Sequence, residues 1–115
     1  MSRAETGRKA EERAASFLEA KGMTIVERNF RAKTGEIDLV ARDGDEMVFV
    51  EVRSRASRDF GGAAASVDAG KRRRLVRAAR VWLAARGWDG ACRFDVVAVD
   101  GGTLEHLPAA FEADA

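Results

Sequence analysis

Apolar residues recur every three or four positions in two segments of the chain, a spacing typical of helices that bury one face. The first predicted helix covers about residues 3–21 and is followed by Gly22, which suits a left-handed C-cap. The second has Ser66 as its predicted N-cap, runs to about residue 86 and ends at Gly87. The predicted buried stripes are Gly7, Ala10, Ala14, Phe17 and Leu18 in the first helix, and Leu75, Ala79, Trp82 and Leu83 in the second.

Runs rich in apolar and β-branched residues predict strands between and after these helices. Three strands lie in the first half of the chain, over residues 24–29, 36–42 and 47–54. Another covers residues 93–99, and residues 103–107 form a short strand or sheet edge. The order of helix, three strands, helix and one or two strands predicts an α/β fold with a mixed sheet.

The segment between the second and third strands, Asp43-Gly44-Asp45-Glu46, is a β-hairpin signal. A loop of two or four residues gives one register, in which Asp38 lies directly opposite Glu51 on the same face of the sheet. A loop of three or five residues would put these two carboxylates on opposite faces. In the predicted register the other face is uniformly apolar, with Ile37, Leu39, Ala41, Val48, Val50 and Val52.

The chain has 115 residues and a mass of 12.5 kDa, the size of one compact domain. With 46% hydrophobic and 34% charged residues, its composition is that of a soluble globular protein. We therefore expect a single domain over residues 1–115, with a frayed tail after about Pro108. A central antiparallel hairpin flanked by helices is the expected architecture.

A formal net charge of only +1 hides an uneven distribution of charge. Residues 53–80 contain nine basic side chains against two acidic ones, whereas residues 89–115 contain six acidic side chains against one basic. A basic stripe of this kind indicates either a polyanionic partner at one face or a solvated arginine-rich helix face. The outer row of the second helix carries Arg73, Arg77 and Arg80.

The scarcity of some residue types excludes whole classes of chemistry. The single cysteine, Cys92, excludes an internal disulfide and a zinc site built from several thiolates, and it favours a reducing, cytoplasmic location. The chain has no tyrosine and one histidine, His106, which we expect at the surface or at a sheet edge. We expect Asp95 to be a structural hydrogen-bonding or ion-pair residue. No apolar run approaches the ~18 residues of a membrane span, so no membrane association is expected.

The predicted acidic pair needs something to offset its repulsion. Two carboxylates 4 Å apart repel by about 4 kcal/mol at an effective dielectric constant of 20. An ion-pair network with Arg53, a shared proton or a divalent cation could each offset this term. Glu11 lies on the core side of the first helix, where it can join the same cluster. Carboxylates beside phosphate-binding cations are what Mg²⁺ chemistry on a phosphodiester needs.

The runs Gly35-Glu36-Ile37-Asp38-Leu39 and Val48-Phe49-Val50-Glu51-Val52-Arg53 resemble the core of PD-(D/E)XK nucleases, with an acidic residue on one strand and E-x-K on the next. Further segments make the resemblance to the YraN family of small bacterial proteins closer: Ala10-Glu11, Arg28-Asn29-Phe30-Arg31, Phe60-Gly61, Lys71-Arg72-Arg73 and Phe94-Asp95-Val96. This family is similar in its core to archaeal Holliday-junction resolvases. The resemblance implies a restriction-endonuclease-like core.

The resemblance also implies a role for each matching residue. Asp38 and Glu51 would hold Mg²⁺ or Mn²⁺ with the carbonyl of Val52, and Glu11 would complete the shell directly or through water. Arg53 occupies the position of the motif lysine and can stabilise charge, but arginine does not lose its proton. Lys33 or Lys71 could supply an ammonium group from elsewhere in the chain.

The resulting expectation is a nucleic-acid-binding protein that hydrolyses phosphodiester bonds in DNA as a Mg²⁺-dependent endonuclease. Two alternatives stay open: a non-catalytic nucleic-acid-binding module on a nuclease scaffold, and an interaction domain with a structural ion-pair cluster. The sequence leaves open whether the chain forms a homodimer. The residues expected to contact nucleic acid are Arg55, Lys71, Arg72, Arg73 and Arg77.

Overall fold

The computed structural model describes residues 3–54, 67–100 and 102–113. These residues form two helices and five strands: α1 (Arg3–Ala20), β1 (Thr24–Ala32), β2 (Gly35–Asp43), β3 (Glu46–Arg53), α2 (Ala69–Arg86), β4 (Cys92–Asp100) and β5 (Thr103–Phe111). Of the helices in these ranges, neither is long and apolar enough to cross a membrane.

The five strands form one open sheet in the order β1-β2-β3-β4-β5. β3 and β4 are parallel, and the other neighbouring strands are antiparallel. A parallel pair needs a crossover connection, which α2 supplies. Apolar side chains of α1 pack on one face of the sheet and those of α2 on the other. The predicted α/β class and mixed sheet are confirmed.

The β2–β3 hairpin has the predicted register. Asp43 pairs with Glu46 across a two-residue loop, and Leu39 pairs with Val50 at the far end of the ladder. Gly44 takes a left-handed backbone conformation with φ of 62°, as this tight turn requires. Over the paired residues, the register places Val40 of β2 and Met47 and Phe49 of β3 toward α2.

The prediction for the apolar face is wrong at one residue, Ile37. Leu39 and the other predicted members pack toward α1, but Ile37 packs on the α2 side together with Val40. The regular ladder with β3 ends at Leu39, and the Asp38 side chain accepts the backbone N–H of Val52 instead. Because strict alternation is lost at Asp38, Ile37 changes face.

The start of α2 also differs from the prediction. The helix begins at Ala69, and its N-cap is Asp68, whose carboxylate accepts the backbone N–H of Lys71 at 2.9 Å. The predicted N-cap, Ser66, lies outside the described residues. Aspartate is as good an N-cap as serine. Because Ser66 and Asp68 are only two residues apart, the sequence alone does not decide which of them caps the helix. The helix ends at Gly87, as predicted, with φ of 65°.

β5 is longer than predicted and runs to Phe111. The prediction of a frayed tail after Pro108 is therefore wrong for residues 109–111. Phe111 is 8% exposed and stacks on Phe94 with ring centroids 5.3 Å apart. The β4–β5 register shifts just before this pair, and Ala109 there has φ of 50°. The N–H of Ala109 donates to Asp95 at 2.9 Å, so a buried carboxylate holds this irregularity in place.

Asp95 is the structural hydrogen-bonding residue that the sequence predicted. It is fully buried and accepts hydrogen bonds from Arg93 as well as from Ala109. His106 lies on the edge strand, as expected, but its side chain is only 3% exposed, and Nε2 lies 2.7 Å from Asp95 Oδ2. A surface position for this ring is therefore wrong, because its partner comes from the neighbouring strand, which sequence spacing does not reveal.

The β1–β2 turn and α2 approach each other closely at Gly35. A Cβ atom added there would overlap the backbone carbonyl of Arg74. Because backbone cannot move aside as a side chain does, Gly35 fixes the distance between the turn and the helix.

We expect Gly35→Ala to lower the free energy of unfolding by about 1–3 kcal/mol, the usual cost of overpacking. Gly102→Ala is the matched control, since a Cβ there meets no atom within 4 Å, and its effect should stay within about 0.5 kcal/mol. Urea denaturation of both variants measures the difference. Equal stability of the two variants would show that the turn and α2 do not touch.

Candidate functional site

Asp38 and Glu51 meet where the β2–β3 ladder ends. The N–H of Val52 donates to Asp38 Oδ2 at 2.8 Å, which turns the Asp38 side chain toward β3. The carboxyl groups of Asp38 and Glu51 lie close enough for each to shift the pKa of the other.

Burial raises the pKa of Glu51 to about 7, and the neighbouring charge of Asp38 adds to this rise. Burial also raises the pKa of Asp38, against the opposing effect of the Val52 N–H. Protonating one member of a close carboxyl pair is the usual response to burial and like-charge repulsion. The pair therefore keeps its proton up to about neutral pH, which is the shared-proton alternative considered from the sequence.

Two cations from different elements lie beside Glu51. Arg53 NH1 is 3.6 Å from Glu51 Oε2, and Lys71 Nζ is 3.8 Å from the same oxygen. Arg53 follows Glu51 on β3, whereas Lys71 comes from the first turn of α2. Both positive charges lower the pKa of Glu51, although burial outweighs them. Of the two lysines considered from the sequence, the structure places Lys71 next to the acidic pair.

A cleft of about 380 Å³ opens beside Glu51. Its walls are the β1–β2 turn and the first turns of α2, which Gly35 and Arg74 bring together. Four of its side chains are cationic and two are acidic. The lining residues are Arg31, Ala32, Lys33, Thr34, Gly35, Glu36, Glu51, Lys71, Arg74 and Leu75. A concave surface with this excess of positive charge suits a phosphate group.

Glu11 approaches the acidic pair from α1, where the charge of Asp38 acts on it. Burial and the charge of Asp38 raise the pKa of Glu11, and a hydrogen bond from the Asn29 side chain opposes them. Within residues 3–54, 67–100 and 102–113, no three acidic, histidine or cysteine side chains are grouped so that they could hold a metal ion. Glu36 and Glu51 line the cleft, and Asp38 lies next to Glu51.

Asn29 is a site residue that the sequence analysis quoted but gave no role. It lies on β1 between the pairs Arg28–Leu39 and Phe30–Ile37, so it faces Asp38 across the ladder. Its φ of 54° is left-handed, a conformation that asparagine tolerates better than most residues. The sequence does contain a signal for an unusual position here, because asparagine is depleted in regular strands and Asn29 lies within a predicted one.

The predicted nucleic-acid contacts divide into three groups. Arg73 and Arg77 are exposed on the outer face of α2, and Lys71 lines the cleft. Arg72 instead bonds within the fold: its Nε donates to the carbonyl of Val67 at 2.8 Å, and its guanidinium lies over the ring of Phe111. Arg55 lies outside the described residues.

The sequence matches the model of the uncharacterised protein family UPF0102 over residues 10–99. It is 57% identical over 108 residues to a UPF0102 protein of Dechloromonas aromatica, covering 94% of this chain and 89% of the relative. It is 52% identical over 117 residues to a UPF0102 protein of Ralstonia pickettii, covering 97% and 94% of the two chains. The chain belongs to the UPF0102 family. This is the YraN family, so the resemblance found in the sequence is confirmed.

The UPF0102 match covers α1 from residue 10 through β4 and ends before β5. It therefore includes Glu11, Asp38, Glu51 and Lys71. The family description and the names of these relatives state no activity, so function has to be argued from the site.

The acidic pair predicts how stability depends on pH. Glu51 binds its proton more tightly in the folded state, where its pKa is about 7, than in the unfolded chain, where it is about 4.5. The resulting stabilisation is complete below pH 4.5 and is lost as the pH rises through about 7. The free energy of unfolding should fall by roughly 3 kcal/mol across this window.

Glu51→Gln should remove this pH dependence, because an amide keeps a hydrogen-bonding side chain there but has no proton to lose. Glu12→Gln, on the exposed face of α1, is the matched control and should keep the wild-type profile. Urea denaturation at pH 5, 6, 7 and 8 gives the comparison. A wild-type profile in Glu51→Gln would contradict the shared proton.

Proposed function

We propose that this protein binds DNA in the cleft and hydrolyses a phosphodiester bond there with Mg²⁺ or Mn²⁺. The observation that supports it best is the close acidic pair Asp38 and Glu51 beside a cleft with four cationic side chains. A phosphodiester needs cations for its oxygens, and its hydrolysis needs stabilisation of the charge that builds up on them.

The acidic pair fits a divalent cation in its donor chemistry. Mg²⁺ is commonly bound through one or two carboxylates and keeps several waters, so a third protein carboxylate is not required. Asp38 and Glu51 would hold the cation, with the carbonyl of Val52 as a neutral ligand. A divalent cation held there would offset the repulsion between the two carboxylates. When bound, the metal would stabilise charge on the phosphate and lower the pKa of a bound water.

Lys71 takes the role of the motif lysine in this proposal. Its ammonium group lies 3.8 Å from Glu51 and lines the cleft, where it can orient a water or donate to a phosphate oxygen. Arg53 lies at a similar distance and stabilises negative charge as a second cation. The replacement of lysine at position 53 is therefore compatible with catalysis, because a helix residue supplies the ammonium group.

The exposed arginines of α2 extend the binding surface beyond the cleft. Arg73 and Arg77 are four residues apart, so they lie about 6 Å apart along the helix axis. Arg74, which lies on the same helix, lines the cleft. In the proposal, DNA backbone phosphates follow this row away from Glu51.

A cytoplasmic location stays a prediction, and so does pairing of the chain with a second copy.

A non-catalytic DNA-binding module is the second candidate. Two observations favour it. The position of the motif lysine holds an arginine, Arg53. Glu11 is hydrogen-bonded to Asn29, and among the described residues it is not grouped with two further acidic side chains that could hold a metal ion. Both candidates share the cleft and the arginine row, and they differ only in cleavage.

DNA affinity should depend on salt through the arginine row. The logarithm of the association constant should fall against the logarithm of salt concentration with a slope of about −0.9 per phosphate neutralised. Arg73→Glu/Arg77→Glu should weaken binding and reduce the magnitude of the slope by about 2. The control Arg8→Glu/Lys9→Glu makes the same change in net charge on α1 and should alter the slope much less. Fluorescence anisotropy measures all three proteins, and equal slopes would contradict the interface.

Cleavage separates the two candidates. Asp38→Asn should abolish Mn²⁺-dependent cleavage of single-stranded, flap or junction DNA because it removes a charged ligand. Lys71→Ala should lower the rate by about 10²-fold or more, the usual contribution of a positioned proton donor. Lys33→Ala, in the same cleft, is the matched control and should have a much smaller effect. Arg53→Lys should preserve or raise activity.

Three outcomes of this assay are informative beyond the rates. Binding without cleavage by wild type, with Mn²⁺ raising the melting temperature of wild type but not of Asp38→Asn, would favour the non-catalytic module. Neither binding nor cleavage would favour an interaction domain with a structural ion-pair cluster. Equal cleavage by wild type and Asp38→Asn would indicate a contaminating nuclease and leave the proposal without support.

A further inference from the structure

A second chain of polar side chains lies away from the cleft, between α1 and β5. Lys21 Nζ is 2.7 Å from His106 Nδ1, and His106 Nε2 is 2.7 Å from Asp95 Oδ2. Lys21 directly follows α1, His106 lies on β5, and Asp95 lies on β4. The proposed DNA chemistry uses none of these three residues.

The partners of His106 define its tautomer. A lysine ammonium group has only protons to donate, so Nδ1 accepts the hydrogen bond from Lys21. Nε2 then carries the ring proton and donates it to Asp95. Asp95 is itself fixed by Arg93 and by the N–H of Ala109. This is the arrangement in which a buried carboxylate orients an imidazole whose other nitrogen is free to act as a base.

The surroundings hold the imidazole still and leave the amine accessible. The His106 side chain is 3% exposed, and the Phe17 ring packs edge-on against it with centroids 6.3 Å apart. Lys21 is exposed to solvent and passes over the same Phe17 ring. A shallow groove of about 500 Å³ lies nearby and includes Phe17 and Arg13 in its lining.

We propose that Lys21 is a self-acylation site, at which the ε-amine takes an acyl group from an acyl phosphate with His106 as general base. The bond formed joins Nζ to the acyl carbon, and the bond broken is the one from that carbon to the phosphate oxygen. The ammonium group loses two protons: His106 Nδ1 takes one and passes it to solvent, and the leaving phosphate takes the other. The products are an amide on Lys21 and inorganic phosphate.

This inference is independent of the nuclease proposal, because it uses different residues on a different surface. A general base held on a nucleophile typically accelerates a reaction by 10²–10⁴-fold in enzymes. We expect Lys21 to react with acetyl phosphate at least about tenfold faster than Lys9, an exposed lysine of α1 that does not line the cleft.

The experiment treats the full chain with isotopically labelled acetyl phosphate for fixed times. The chain is then unfolded and its remaining amines are acetylated with unlabelled reagent, so that mass spectrometry gives the labelled fraction at each lysine. His106→Gln keeps hydrogen-bonding groups toward Lys21 and Asp95 but provides no base. The ratio of Lys21 to Lys9 labelling should fall in this variant to about one.

Wild-type protein unfolded in urea is a second control that needs no variant to fold. The ratio there should also be about one, because the hydrogen bonds to His106 depend on the fold. A ratio of about one in folded wild type would overturn the inference. An elevated ratio that persists in folded His106→Gln, or in urea, would overturn it as well, since Lys21 would then react without its histidine.

Discussion

The hydrogen bond from the Val52 N–H to the Asp38 carboxylate is the contact on which the site depends. It replaces a rung of the β2–β3 ladder, so the two strands stay together although their regular pairing ends at Leu39 and Val50. A side chain that bonds to a neighbouring strand's backbone cannot project from the sheet like its neighbours. Asp38 is therefore held near Glu51, and burial together with the charge of Asp38 raises the pKa of Glu51 to about 7. The change of face at Ile37 follows from the same break in alternation.

The mixed topology of the sheet determines which other groups reach this pair. The parallel β3–β4 pairing requires a crossover, and α2 provides it on one face of the sheet while α1 covers the other. The first turn of α2 thereby brings Lys71 to Glu51, and the contact between Gly35 and Arg74 forms the cleft beside them. Asp38 and Glu11, which comes from the α1 side, interact through their charges, and the side chain of Asn29 is hydrogen-bonded to Glu11.

A second buried carboxylate, Asp95, organises the other edge of the sheet. It satisfies the irregular backbone at Ala109 and binds Arg93, whose guanidinium also reaches Glu46 at 2.8 Å. Asp95 and the acidic pair differ in the groups that compensate for their burial. Asp95 is paired with hydrogen-bonded cationic and backbone donors, whereas Asp38 and Glu51 rely on a proton and on cations at 3.6 and 3.8 Å.

The sequence by itself determined the elements, the hairpin register and the acidic pair, because helix periodicity, strand composition and a Gly-containing two-residue turn are local signals. It also identified the family, through motifs spread along the chain. Tertiary structure decided the rest. The face of Ile37, the length of β5, the partner of His106 and the choice of Lys71 beside Glu51 all depend on contacts between residues far apart in sequence. Periodicity shows which side of an element is buried, but it does not show which distant side chain will lie against it.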